Sequence, residues 1–530
     1  MFLLLSAICI FVVARYVRNE RTIYFWDQAF YFNYFRDQTM SLAKAIESFQ
    51  YTYTYLPILP LIVFRCFFGD SRQAHILSIS VLYGLTALAV LCYGCMDSNK
   101  KISILGYLAF ISIAFFNPQF WHAIVFGYPD VGGVLIAGVI LILSKKKSDK
   151  ALLSMGRHVL IGCLLALLVL FRRYYAYWTI GYVCASAVAI ICTHSRSSKQ
   201  RMSQLGLLLA SIVIFITVLY LSLGKSFPVL FHSYGDMYSA YKTTNSFNGL
   251  IRSFLSYYGG LWGILVLLVF IVQGIYLPLD ANSIYLFIIT FLPIALLATV
   301  QDPGLQHWYL LFPGLIFSIY RSISILEVRI RSSLRRVFYA FAIMLVVFVF
   351  FISVTNSKNI GIINGFFPSE RLIPQQRTDI SNIYAMLKKL DLPEEKTNGQ
   401  IAIYVLSSSD VLNDSLVREA TKQFGFFRLS PNILVTSIID KRDPFPMGLF
   451  EADYVLVPSE NYSGFSHPQF VVDGLASLFL DERSILAPYY QCVDTKYILE
   501  YNTTINIYYR YKLIPNQIKN LLYSEWKEAR

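Results

Sequence analysis

The sequence predicts a polytopic α-helical membrane protein with a small α/β domain at its C-terminal end. Of its 530 residues, 56% are hydrophobic and only 15% are charged, whereas soluble globular domains carry about 25% charged residues. Long apolar segments fill the first 354 residues, and the more polar remainder alternates short apolar strands with helices. These observations exclude a disordered chain, a collagen-like chain and an ordinary soluble enzyme.

We expect about 11 membrane-spanning helices, although several apolar segments are shorter than the roughly 20 residues of a full span. The first segment lacks a basic start and a small-residue cleavage site, and we interpret it as a retained anchor. The predicted spans cover 2–17, 76–96, 102–117, 122–144, 158–171, 176–192, 205–223, 254–277, 284–300, 305–320 and 338–354.

Basic residues cluster in short loops between these spans, at 97–101, 145–157, 193–204 and 321–336. Such loops face the cytoplasm in membrane proteins. This rule places the N-terminus inside, and the loop 18–75 and the tail outside. The net charge of +13 therefore reflects membrane orientation and does not indicate a nucleic-acid partner.

We divide the chain into a transmembrane module, 1–354, and an extracytoplasmic α/β domain, 355–530. In the second domain we expect strands at 401–406, 433–439 and 453–458 and a hairpin formed by 497–499 and 505–511. Helices are expected at 410–423, 468–480 and 515–528.

The loop 18–75 contains the first candidate site. Asp27 follows Trp26 among aromatic residues, close to the predicted membrane surface. A carboxylate in such surroundings is costly unless it has a partner or a function. The alternative is a surface or capping acid. Further along, Tyr51–Phe68 is apolar but contains two prolines, which suits an interfacial or re-entrant helix.

Three further polar groups fall on the predicted outer face. Asp130 follows Pro129 and precedes a glycine pair, where it could equally satisfy the free amides of a helix start. Arg172 and Arg173 precede Tyr174 and Tyr175. An arginine side chain can bind phosphate through two parallel N–H groups. The alternative is that both arginines only extend their charged ends to the membrane surface. Near the ninth and tenth spans lie Asp302, Gln306 and His307, of which the histidine could contact phosphate or be structural. His232 and Asp236 are weaker candidates.

Carboxylates and arginines on one membrane face indicate chemistry on a lipid-linked phosphate. The sequence contains no Walker loop, no dinucleotide fingerprint and no H-E-x-x-H motif, which argues against nucleotide-driven work. The scattered histidines and acids show no convincing metal-ligand spacing.

The sequence resembles the GT-C glycosyltransferases, and within them the bacterial proteins related to protein O-mannosyltransferases (glycosyltransferase family 39) and to the aminoarabinose transferase of lipid A. An acid soon after the first span, many membrane helices and an outward C-terminal domain carry the resemblance. The matching motifs are Trp26-Asp27-Gln28, Tyr128-Pro129-Asp130, Arg172-Arg173-Tyr174-Tyr175-Ala176-Tyr177-Trp178, His307-Trp308-Tyr309-Leu310-Leu311 before Pro313, Asp440-Lys441-Arg442-Asp443 with Phe445-Pro446, and Ala452-Asp453-Tyr454-Val455.

The resemblance implies an inverting transfer from a polyprenyl-phosphate sugar to an acceptor glycan, lipid or protein. Asp27 matches the acid that acts as general base, and Asp130 matches a second acid that orients the acceptor or helps to hold a divalent metal. Gln28 stands where many relatives have another acid, so metal dependence stays open. The donor phosphate would be held by Arg172, Arg173 and His307, and the substrates by Trp26, Tyr174, Tyr175, Gln306 and Asp302.

Two other functions remain open from the sequence. A transporter or flippase of lipid-linked saccharide would place ionisable groups near the middle of the membrane. The predicted spans are nearly free of such groups away from their ends, which favours surface chemistry. A non-catalytic assembly subunit would present the outer domain, and it would not need Asp27.

Overall fold

The structure is a computed structural model, and every structural statement below concerns the residues that it describes. These residues are 2–19, 23–37, 39, 41–47, 55–96, 102–145, 151–193, 197–231, 238–242, 246–277, 280–355, 368, 372, 377–391, 401–460, 462–465 and 467–530. The basic loop 97–101 and the candidates His232 and Asp236 lie outside the described residues.

The contacts divide the chain into two compact units. The first contains Met1–Glu20, Tyr31–His232 and Ser246–Pro374; the second contains Arg21–Phe30, Ser233–Asn245 and Gln375–Arg530. The domain boundary predicted after residue 354 stays a prediction.

The first unit is helical. Eight helices in the described part of the chain are long and apolar enough to cross a membrane. Many of their large apolar side chains are exposed, for example Leu267 and Phe351, as expected where lipid is the solvent. The polytopic helical class is therefore confirmed, and the count of about 11 spans stays a prediction.

The helices are Phe2–Asn19, Trp26–Arg36, Leu42–Glu47, Leu59–Phe68, Arg72–Ser78 continuing through the π-helical Ile79–Leu85 into Thr86–Met96, Ile104–Phe115, Pro118–Val125, Val131–Lys145, Ala151–Phe171, Tyr175–Cys192, Ser198–Leu223, Ser246–Tyr276, Ala281–Ala298, Phe312–Arg329 and Ser332–Thr355.

The gap between the predicted spans 102–117 and 122–144 implies an outer loop near 118–122, and this prediction is wrong because the helix Pro118–Val125 occupies those residues. The Asn117 side chain accepts a hydrogen bond from the backbone amide of Gln119 at 3.0 Å, and Pro118 opens the helix Pro118–Val125. The chain turns later, at Gly127, whose φ of +83° suits glycine. The predicted span 122–144 is therefore divided, and Asp130 stands immediately before the helix Val131–Lys145.

The break predicted between the fifth and sixth spans is confirmed. The helix Ala151–Phe171 ends where the amide of Arg172 donates to the carbonyl of Leu168 at 3.2 Å. The amide of Tyr175 then donates to the carbonyl of Arg172 at 3.0 Å as the next helix begins. This tight corner leaves both Arg172 and Tyr175 buried.

The second unit is built on a mixed four-stranded sheet. Its strands are β1 (Ile403–Val405), β2 (Tyr454–Pro458), β3 (Tyr490–Ile498) and β4 (Thr504–Arg510), in the order β1-β2-β4-β3. Strands β1 and β2 are parallel, and the pairs β2–β4 and β3–β4 are antiparallel. The predicted strands at 401–406 and 453–458 and the terminal hairpin are therefore confirmed.

Helices cover both faces of this sheet. Side chains alternate along β1, so that Ile403 and Val405 join one core and Tyr404 joins the other. The helices Ile380–Asp391 and Asp414–Gln423 contribute to the first core, and Leu475–Leu480 and Asn516–Ala529 contribute to the second. The small α/β layer predicted for the tail is confirmed.

Two local predictions in this unit are wrong. The segment 433–439 is not a strand, since it makes only an isolated bridge between Ile433 and Ile403. The helix predicted over 468–480 is shorter: a π-helical turn, Phe470–Gly474, precedes the helix Leu475–Leu480.

Candidate functional site

An ion pair between Arg172 and Asp130 forms the centre of the candidate site in the helical unit. The Nε of Arg172 lies 2.7 Å from Oδ1 of Asp130, and Asp130 is fully buried. Its other oxygen, Oδ2, has no hydrogen-bond partner among the described residues. A buried carboxylate oxygen without a donor is costly. The Asp130 side chain caps no backbone amide among the described residues, and its second oxygen is an acceptor that none of them engages.

Two tyrosines fix the orientation of this pair. The hydroxyl of Tyr31 is hydrogen-bonded to Nη1 of Arg172, and the guanidinium carbon lies 5.3 Å from the Tyr31 ring centre. The hydroxyl of Tyr175 donates to the backbone carbonyl of Asp130 at 2.9 Å. A side chain at Gly133 would overlap the Tyr175 ring, so this glycine allows the two helices to approach.

A second group of polar side chains adjoins the corner. The Tyr174 ring stacks on Tyr175, with ring centres 4.7 Å apart, and meets the His307 ring edge-on at 4.9 Å. The Tyr174 hydroxyl donates to the backbone carbonyl of Gln306 at 3.2 Å. The structure thus brings His307 and the backbone of Gln306 to the same corner as Arg172.

The His307 ring is held by contacts at both of its nitrogens. Its Nδ1 accepts a hydrogen bond from the backbone amide of Gly304 at 2.9 Å. Its Nε2 lies 3.3 Å from the side-chain amide nitrogen of Gln301. These contacts fix the orientation of the ring beside Tyr174.

The other predicted site residues have separate positions. Arg173 and Asp302 are partly buried in the helical unit. Asp27 lies in the first turn of the helix Trp26–Arg36, directly after Trp26, which is 38% exposed. The contacts assign Arg21–Phe30, and with it both residues, to the second unit.

Sequence reasoning missed Tyr31 and Gly133. Tyr31 stands among many aromatic residues, and its spacing of four residues from Asp27, which repeats on one helix face, is too common a pattern to identify it. Gly133 is one of two adjacent glycines in the sequence. Its close approach to the Tyr175 ring, which leaves no room for a side chain, explains why a glycine is needed there.

The residues around Asp130 do not fit a divalent cation. One carboxylate oxygen already faces a guanidinium, and cations prefer several oxygen ligands. The described part of the chain also contains no group of three or more His, Cys, Asp or Glu side chains placed to hold a metal.

No protein-family model matches the chain, and no curated protein matches it. Solved structures do resemble it. The crystal structure of ArnT from Cupriavidus metallidurans bound to undecaprenyl phosphate gives a TM-score of 0.50 at 11% identity, covering 96% of this chain and 97% of that one. Its apo state gives 0.50 at 10% identity over the same shares. The apo oligosaccharyltransferase of Archaeoglobus fulgidus gives 0.44 at 11% identity, covering 86% and 69%.

The helices, the corner site and the C-terminal sheet define a class: a multi-pass membrane protein with a small α/β domain. The similarity to ArnT over nearly the whole chain shows, more particularly, that the fold is of the GT-C type. The fold expected from the resemblance is thus confirmed.

Proposed function

We propose that the protein is an inverting glycosyltransferase that moves a sugar from a polyprenyl-phosphate donor to an acceptor glycan, lipid or protein outside the cell. The observation that carries the proposal is the buried Arg172–Asp130 pair, whose Oδ2 has no partner among the described residues. The GT-C fold supports it, because the ArnT structure with this fold was solved with undecaprenyl phosphate bound.

In the proposed reaction Asp27 takes the proton from an acceptor hydroxyl. The acceptor oxygen attacks the anomeric carbon, the bond from that carbon to the phosphate oxygen breaks, and polyprenyl phosphate leaves with the electron pair. A positioned base of this kind contributes about 10²- to 10⁴-fold to the rate. The assignment of Asp27 to this role rests on the family resemblance.

The remaining residues hold the substrates. The developing charge on the phosphate is stabilised by Arg172 and Arg173 with His307 assisting, since fixed polar groups act strongly in a water-poor site. Asp130 accepts a hydrogen bond from the acceptor through Oδ2. Binding surfaces for the two substrates come from Trp26, Tyr174, Tyr175, Gln306 and Asp302. The protein lies in the plasma membrane, with its N-terminus cytoplasmic and its C-terminal domain outside.

The test is release of polyprenyl phosphate from labelled polyprenyl-phosphate sugars by purified protein in detergent, with and without EDTA. We expect release by the wild type and none by Asp27→Asn. Asp37→Asn is the matched control. Asp37 directly follows the helix Trp26–Arg36, and its carboxylate accepts hydrogen bonds from the amide and the hydroxyl of Thr39. Loss on adding EDTA would contradict a reaction that needs no metal.

Equal release by Asp27→Asn and the wild type would remove Asp27 from the reaction. If the wild type neither binds nor cleaves any donor, the proposed function is wrong. A transporter or an assembly subunit would then explain the fold better.

A further inference from the structure

The segment that carries Asp27 is anchored in the C-terminal α/β domain, although about 350 residues separate them in the chain. Ile23 is 1% exposed and belongs to the same buried core as Leu416 and Ile383 of that domain. Phe25 packs against this core from outside. An apolar side chain buried to this extent contributes about 1.5–3 kcal/mol, so the domain holds the segment in place.

A directed hydrogen bond adds to this anchor at the start of the helix. The backbone amide of Trp26 donates to Oγ of Ser415 at 2.9 Å. Trp26 has a φ of +47°, a left-handed conformation that is costly for a bulky residue. Such a conformation persists only where the surrounding structure imposes it, and Ser415 and the Ile23 anchor are the contacts that impose it here.

Ser415 is itself rigidly placed. It lies in the first turn of the helix Asp414–Gln423, whose start is capped by the buried Asn413. The Asn413 side chain accepts from the amide of Leu416 at 2.7 Å and donates to the carbonyl of Ser409 at 2.9 Å. The oxygen that receives the Trp26 amide is thus fixed by a capped helix.

We propose that the C-terminal domain positions Asp27 through Ser415. Asp27 is the residue directly after Trp26 in the first helical turn, so the Trp26–Ser415 bond sets where its carboxylate stands. Ser415 is a positioning residue and touches no substrate. This inference rests on the proposed function, in which Asp27 is the base; a base displaced by about 1 Å can lose up to 10²-fold in rate.

Ser415→Ala in the full-length protein tests the inference, with two readouts. We expect kcat for sugar release to fall about 10-fold with the KM for the donor unchanged, since the base moves while the donor site stays. Hydrogen exchange of the peptide 23–36 should become faster, because the Trp26 amide loses its acceptor. Ser415→Thr keeps the oxygen and should restore both readouts.

Two further variants serve as controls. Ser524→Ala removes a hydroxyl from the same domain that bonds only within its own helix, and it should change neither readout. Ile23→Ala removes the second anchor and should reproduce the effect of Ser415→Ala on kcat and on exchange.

Unchanged kcat and unchanged exchange in Ser415→Ala, beside an inactive Asp27→Asn, would overturn the positioning role and leave the proposed function standing. If Asp27→Asn is instead as active as the wild type, the proposed function fails at Asp27, and the positioning role fails with it.

Discussion

Asp130 and Glu327, two of the carboxylates that pair with arginine in the described part of the helical unit, differ in how many of their oxygens are engaged. Glu327 has both oxygens engaged: Oε1 accepts from the amide of Ser103 at 3.1 Å, and Oε2 lies 3.0 Å from Arg335. Asp130 shares Oδ1 with Arg172 and leaves Oδ2 without a partner among the described residues. The predicted topology puts Glu327 on the inner face and Asp130 on the outer face. A fully engaged pair joins helices, whereas a half-engaged buried pair has an acceptor left for a ligand.

The largest effect is expected for Asp130→Asn. The change keeps the shape of the side chain but removes its charge and weakens its acceptor, so we expect sugar release to fall by about 10²-fold or more. The protein should still insert and run as a single species in size-exclusion chromatography. Wild-type turnover by a folded Asp130→Asn protein would break the contrast with Glu327.

The matched change, Glu327→Gln, should act on stability instead of turnover. The half-buried Arg335 loses its counter-charge, and we expect a loss of about 1 kcal/mol in the free energy of unfolding. Thermal unfolding in detergent measures this loss, and turnover should be expressed per folded molecule. If turnover per folded molecule fell to the level of Asp130→Asn, the two ion pairs would both be needed for the reaction, and the contrast between them would be wrong.

Tyr31→Phe should have a smaller effect on turnover than Asp130→Asn, and it tests how Arg172 is held beside Asp130. The variant removes the hydroxyl that is bonded to Arg172 and keeps the ring beneath the guanidinium. A hydrogen bond to a charged group is worth about 1.5 kcal/mol, so turnover should fall about 10-fold. Steady-state kinetics check the value, and an unchanged rate would show that Arg172 is oriented by Asp130 alone.

The sequence predicted the membrane class and most strands of the tail, because hydrophobic periodicity and loop charge act locally, and the family resemblance predicted the fold type. The sequence could not place the turn before Asp130, because the apolar run continues through Trp121 and Val125. The structure marks the helix there by the cap at Asn117, where it begins, and by the left-handed Gly127 just after its end. The segment 433–439 has the composition of a strand. Composition does not show whether a neighbouring strand is available to form backbone hydrogen bonds with it.

The pairing of distant residues was also beyond the sequence. Arg172 contacts Tyr31 across 141 positions, and nothing in the local pattern distinguishes Tyr31 from the aromatic residues around it. The assignments of Asp27, Arg173 and Asp302 to the reaction stay predictions. The pairing of Arg172 with Asp130 is a structural finding that gives one of the predicted arginines a defined partner.

The missing side chain at Gly133 has a consequence for finding relatives. Any larger residue there would collide with the Tyr175 ring and disturb the hydroxyl that holds the Asp130 carbonyl. Where only about one residue in ten is identical, as between this chain and ArnT, overall identity says little. A pattern of acid, any residue, then two glycines, with arginine and tyrosine at a later helix corner, describes a geometric constraint and should persist where the rest of the sequence drifts.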